Sequence, residues 1–287
     1  MAFDRIAQLL PHSSQQPPSQ VTKQLVEPAP LHLPNAFGKP TALPAIAPPL
    51  SSQAPPLEEL RAINLTYHYP GSDRGITDIS FTLQRGSLTV ITGSIGAGKT
   101  TLLRVLLGLL PLQSGSLYWN GELVKYPDRF FTPPRTAYTP QVPQLFSTSL
   151  RENLLLGLDR SDAEVSRAIA QTTLHQDLLQ MPDGLDTQIG SKGMRLSGGQ
   201  IQRVAVARMF LRQPDLLVID DLSSALDIKT EQTLWKELMQ RLKQSPVDQA
   251  SQIGHKHEPE HWQPTCIVVS HRPFVIEQAD FLIHLKG

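Results

Sequence analysis

From Leu60 onward, short apolar runs recur along the chain, and their periods predict most of its elements. Leu60 to Tyr69 alternates enough to predict a strand, and Ile76 to Leu83 predicts a second one beyond the turn Pro70-Gly71-Ser72-Asp73. Leu88-Thr89-Val90-Ile91-Thr92 reads as a buried strand, whereas Thr101-Leu102-Leu103-Arg104-Val105-Leu106-Leu107 reads as a helix. Gly115 to Asn120 suggests another strand, with Asn120-Gly121 the signal of a hairpin turn. Thr136-Ala137-Tyr138-Thr139 leads to Pro140-Gln141, and from Ser149 to Arg212 the period is mainly helical, broken at Pro182-Asp183-Gly184 and at the glycines between 190 and 199. Asp215 to Asp221 then gives an apolar strand ending in carboxylates, Thr265 to Ser270 one ending at His271, and Phe281 to Lys286 a short last one. Strands alternating with helices, with polar groups at the strands' carboxyl ends, predict an α/β fold whose mostly parallel sheet holds its ligand along that edge.

Composition changes the picture at the N-terminus. Twelve of the 25 prolines lie within residues 1–57, among Ser, Gln and Ala, and no apolar period lasts beyond Phe3 to Leu10. Such a segment buries too little surface to offset its ordering entropy, so it is expected to be a disordered or polyproline-like tether, or a proline-rich docking segment, ahead of a folded domain at 58–287. Lys+Arg and Asp+Glu balance at 26 each, which gives no reason to expect a nucleic-acid partner. The single cysteine, Cys266, sits in an apolar run and reads as an inert core thiol in a reducing compartment. The longest apolar candidate, Val105 to Leu112, is far short of the roughly 20 residues of a membrane span, and the N-terminus lacks a basic-then-apolar export signal, so the chain reads as soluble. A polar insertion at about 240–264 carries His255, His257 and His261, read as a solvated loop because nothing there fixes a metal geometry.

The chemistry concentrates in Gly93-Ser94-Ile95-Gly96-Ala97-Gly98-Lys99-Thr100. A triphosphate is a dense anion, and small residues let consecutive backbone N–H groups converge on it. Lys99 would reach the β and γ phosphates, Thr100 would offer a hydroxyl to Mg²⁺, and the following helix would present its positive end. An aromatic residue near the Pro70 turn could stack on a base, with Tyr69 and then Tyr67 as candidates; a tyrosine merely packed in its strand is the alternative.

Five further segments follow in a fixed order, and with the glycine loop as Walker A they resemble the nucleotide-binding domain of ATP-binding cassette (ABC) transporters over about residues 58–287. Gln141 falls at the Q-loop, Leu196-Ser197-Gly198-Gly199-Gln200 matches the signature motif, and Leu216 to Asp220 the Walker B strand. Ser224-Ala225-Leu226-Asp227 matches the D-loop and His271 the switch histidine. The resemblance implies a P-loop NTPase fold with a mostly parallel core sheet, an antiparallel β subdomain and a helical signature subdomain at about 145–212. It implies ATP and Mg²⁺ as ligands, with Thr100, Gln141 and Asp220 toward the metal and Gln141, Asp221 and His271 toward the γ phosphate and attacking water. It also implies that Ser197 and Gly198 cap ATP held by a second such domain, identical or different, and that Tyr69 stacks on adenine.

Leu185 to Gly193, Gln144-Leu145-Phe146-Ser147 and Leu150-Arg151-Glu152-Asn153 look exporter-like. The expectation is therefore a cytoplasmic ATPase subunit at the inner face of the cell membrane, working on a separate transmembrane permease subunit. Asp221 departs from the family's glutamate, which predicts slow hydrolysis. A soluble ABC ATPase without a transport role, and a weakly hydrolysing regulatory half of a heterodimer, are the alternatives.

Overall fold

The computed structural model describes residues 55–190, 193–222, 228–243 and 262–286. β1 (Glu59–His68) pairs antiparallel with β2 (Gly75–Gln84). Along β1 the inward residues are Leu60 and Ala62, then Leu65 and Tyr67; the register slips between them, where Asn64 takes a positive φ of 52°. The irregularity restores the inward face that strict alternation would have lost. β3 (Leu88–Gly93) leads to α1 (Lys99–Leu106), and β4 (Ser114–Trp119) turns into the two-residue β5 (Glu122–Leu123). Asn120 and Gly121 between them both have positive φ, 51° and 83°, as the primed hairpin turn requires. The first sheet has the order β2-β1-β4-β5.

After α2 (Pro127–Phe130) and β6 (Thr136–Thr139) come three helices, α3 (Leu150–Leu155), α4 (Asp162–Gln171) and α5 (His175–Leu178). A 3-10 turn at Gly184–Asp186 precedes α6 (Gly198–Arg212). Ser149, Ser161 and Ser197 each cap the helix that follows, with Glu152, Glu164 and Gln200 closing reciprocal capping boxes. β7 (Leu216–Asp220), α7 (Ile228–Lys243), β8 (Thr265–Val269), α8 (Pro273–Glu277) and β9 (Phe281–Leu285) complete the described chain.

The second sheet has the order β6-β7-β8-β3-β9 and all its pairings are parallel, so every strand delivers its carboxyl end to one edge. β7 and β8 are buried at each position. Their residues alternate between two cores: Leu217, Ile219, Cys266 and Val268 pack with α4, α6 and α7, while Leu216, Val218, Ile267 and Val269 pack with α1 and the antiparallel sheet.

Residues 1–54, and 244–261 with His255, His257 and His261, lie outside the described residues. α7 continues through Lys243, into the first residues of the span read as a polar insertion. Cys266 is fully buried, and burial pushes its thiol pKa up, in keeping with an inert core thiol. Among the described residues no helix is long and apolar enough to cross a membrane.

Candidate nucleotide site

Close packing shapes the glycine loop at the end of β3. At Gly93 (φ +142°) a Cβ would stand 2.2 Å from the Leu285 carbonyl oxygen, and at Gly98 (φ +89°) one would stand 2.6 Å from that of Gly75. Both positions need glycine by conformation and by space. Gly98 opens α1, whose first turn holds no acidic side chain, so the helix keeps its positive end for an anion. The Lys99 Nζ donates to the carbonyls of Gly93 and Ser94 at 3.0 and 2.7 Å, which lays the ammonium along the loop. Ile95 at the loop's tip is fully exposed.

Because β6, β7, β8 and β3 are successive neighbours, the residues after them line up along the edge: Gln141, Asp220 with Asp221, His271, and the glycine loop. The Thr100 hydroxyl donates to Asp220 Oδ1 at 3.1 Å. Asp220 is buried, and burial raises its pKa, opposed by the Thr100 hydrogen bond and the charge of Arg104. A hydroxyl and a carboxylate side by side are oxygen donors of the kind Mg²⁺ takes, with waters and phosphate oxygens completing its shell, so these residues fit the metal. Gln141 stands beside Asp221 instead, its Nε2 donating to Oδ2 at 3.4 Å. His271 is exposed just past β8.

Tyr67 is buried in β1, whereas Tyr69 is half-buried, its ring edge-on to Tyr67 and its hydroxyl 3.4 Å from Thr101 Oγ1 on α1. Of the two, Tyr69 therefore keeps ring surface beside the loop's helix. Ser197 and Gly198 are exposed at the start of α6, and Gly199 and Gln200 half-buried. Leu196 turns the other way, onto the core. Asp227 lies outside the described residues.

Several contributors escape a motif reading. Asn153, fully buried, donates to the carbonyls of Phe146 and Ser149 and accepts from the Phe146 N–H, so it pins the segment after Gln141. Arg208 on α6 reaches the same segment through the Gln144 carbonyl at 2.9 Å and Asn153 Oδ1 at 2.8 Å; burial lowers its pKa to about 10. On α6 itself, Gln202 donates to the Gln141 carbonyl at 3.3 Å. The signature helix and the glutamine loop are thus joined by side chains. A cavity of about 280 Å³ opens beside them, lined by Gln144, Leu156, Arg208 and Arg212 among others, and on the same segment Val142 and Phe146 are exposed.

Comparison with known proteins agrees with this geometry. The model of the ABC transporter family matches residues 76–224. The chain is 34% identical over 226 residues to the Bacillus subtilis (strain 168) protein named Probable multidrug resistance ABC transporter ATP-binding/permease protein YheI, covering 78% of this chain and 35% of that one. It is 30% identical over 224 residues to ATP-binding cassette sub-family B member 6 of Mus musculus, covering 78% of this chain and 24% of that one. Among solved structures it superposes on a bacterial Atm1-family ABC exporter with ATP bound, with a TM-score of 0.67 and 26% identity, over 82% of this chain and 39% of that chain. This chain therefore spans about a third or less of the length of these two relatives, one of which is named as joining ATP-binding and permease parts. The matched span contains the glycine loop, the signature turn and Asp220: the chain belongs to the ABC transporter family and carries its ATP-binding domain.

Proposed function

We propose that this domain binds MgATP along the carboxyl edge of its parallel sheet and hydrolyses it to drive an exporter-type membrane part. The observation that carries the reading is the convergence on one edge of an anion-binding loop, the Thr100–Asp220 oxygen pair, Gln141 with Asp221, and His271. In this reading Gly93 to Lys99 hold the phosphates by backbone N–H groups and the Lys99 charge. Mg²⁺, held by Thr100 and Asp220 with Gln141 nearby, supplies charge neutralisation at the phosphates. Asp221 polarises the attacking water, Gln141 and His271 orient it against the γ phosphate, and Tyr69 supports adenine. The signature turn of a second such domain closes the site from the other side.

The membrane part is proposed to dock on the face of Val142, Phe146 and Leu156, where an exposed apolar surface lies over the Asn153 and Arg208 linkage. Movement there would reach both Gln141 and the signature helix. In YheI the ATP-binding and permease parts are named together, whereas the reading here is of a separate transmembrane permease subunit served by this chain from the cytoplasmic face. Detergent extraction followed by co-purification of the full-length chain tests that assignment. A distinct multi-span protein supports it, and a span within the same polypeptide overturns it. Hydrolysis is tested directly: the intact protein should release phosphate from MgATP, and Lys99→Ala or Asp220→Asn should abolish the release. Equal rates in wild type and both variants would refute the reading.

Asp221 favours one refinement, that this site binds ATP well and turns it over slowly while the intact signature completes the site of a different, partner domain. Its side chain is a methylene shorter than the family's glutamate.

A further inference from the structure

The Gln200 side chain is engaged within its own chain. Its Oε1 accepts from the Ser197 N–H at 2.8 Å, and its Nε2 donates to Asp177 Oδ1 at 3.2 Å. Asp177 lies on the short helix α5 and is only 7% exposed. Arg203, three residues beyond Gln200 on α6, meets the same carboxylate with bonds of 2.7 and 2.8 Å, and both side chains of this ion pair are largely buried. One carboxylate thus collects three donors from the first turn and a half of α6 and fastens that helix start to α5. A bidentate guanidinium fixes the orientation of such a carboxylate as well as its charge.

The turn itself is left with its donors outward. Ser197 Oγ accepts from the Gln200 N–H at 3.3 Å, which leaves the hydroxyl hydrogen to be donated elsewhere, and Ser197 and Gly198 are exposed. No acidic residue occupies the first turn of α6. An uncompensated carboxylate beside a helix's positive end would compete with an incoming anion, and the Arg203 charge removes that competition.

We propose that Asp177 and Arg203 are positioning residues for the signature turn. They hold Gln200 as an internal strut, so that the Ser197 hydroxyl and the Gly198 and Gly199 amides, rather than the Gln200 side chain, meet a triphosphate carried by a partner domain. This rests on the two-domain reading given above and gives Gln200, the last residue of the signature motif, a role within its own chain.

Hydrogen–deuterium exchange on the full-length, nucleotide-free protein tests it. Asp177→Ala removes the anchor, whereas Gln200→Met removes the strut and leaves the Asp177–Arg203 pair in place. Both variants should exchange the amides of residues 197–201 faster by about tenfold, the loss expected when a hydrogen bond to a charged group is removed. In Gln200→Met the exchange of α1 should match wild type and the melting temperature should fall by no more than about 4 °C, which a general loosening of the fold would not allow. Unchanged exchange at 197–201 in Gln200→Met overturns the proposal, as does loosening spread evenly over the chain. The measurement needs neither nucleotide nor partner. Failure of the two-domain reading would appear separately, as a wild-type protein that never pairs in MgATP.

Discussion

Asp221 leaves β7 with a positive φ of 50°, its N–H donating to the Val269 carbonyl at 3.2 Å and its carboxylate accepting from Gln141. The backbone of the residue is thereby anchored to β8, and only side-chain length remains to set the reach of the carboxylate. Asp221→Glu is therefore expected to raise the rate of phosphate release by up to about a hundredfold, since misplacing a reacting group by about 1 Å costs that order. Steady-state assays of both forms check this, and equal rates would show that Asp221 does not limit turnover. A different carboxylate reports on pH. Burial holds the Asp215 pKa above the usual carboxylate range, against the charges of Arg135 and Arg85. The folded protein then binds this proton more tightly than the unfolded chain does. The group's contribution is fully present below the unfolded pKa and lost as pH rises through the raised folded value. Asp215→Asn should therefore gain stability at about pH 7, and the gain should shrink toward about pH 4; thermal melts of both forms across that range test the sign. At this scale the candidate phosphate-binding loop was legible because glycines and a lysine at fixed spacing carry the chemistry locally. Asp177 and Arg203 were not, because their contact joins residues 26 apart and depends on how α5 lies against α6.

The segment between β6 and α3 has no regular structure of its own, and one buried amide makes several of the bonds that hold it. Asn153 bonds Phe146 through both its groups and bonds the Ser149 carbonyl at 3.0 Å. Asn153→Ala leaves the Phe146 N–H and carbonyl without their side-chain partner and takes from Arg208 one of its acceptors. A loss of about 2–3 kcal/mol is expected in denaturant unfolding, with added protease sensitivity near residues 144–149; an unchanged unfolding midpoint would contradict the pinning role. Elements were legible in proportion to their length and burial. β7 and β8 are continuous apolar runs because both faces are covered, and the serine–Glu/Gln spacing of the capping boxes marks the starts of α3, α4 and α6. α2 and α8 are four and five residues long, too short to show a period, although each opens on the proline that favours a first helical turn. The shift at Asn64 was hidden because a bulge leaves the composition of a strand unchanged.

At the scale of the whole molecule, the parallel sheet separates two cores and joins them, since each strand sends alternate side chains to opposite faces. Truncation on either face should therefore weaken the same cooperative unit. Trp235, 2% exposed in the core shared with α6 and α7, should cost about 3–5 kcal/mol on replacement by alanine, and Leu216→Ala in the opposite core about 2–5 kcal/mol. Each should lower a single unfolding transition; two separate transitions would mean that the cores melt independently. The parallel sheet was foreseeable from alternating strands and helices, whereas the sharing of β7 between two cores needed the strand order. That order also brings four strand ends to one edge, the arrangement on which the functional reading depends. Calorimetric titration of the full-length protein with MgATP tests that reading most directly. Saturable binding that Lys99→Ala abolishes is the expected result, and a wild-type protein that takes up no MgATP, or binds it equally well without Lys99, would contradict it.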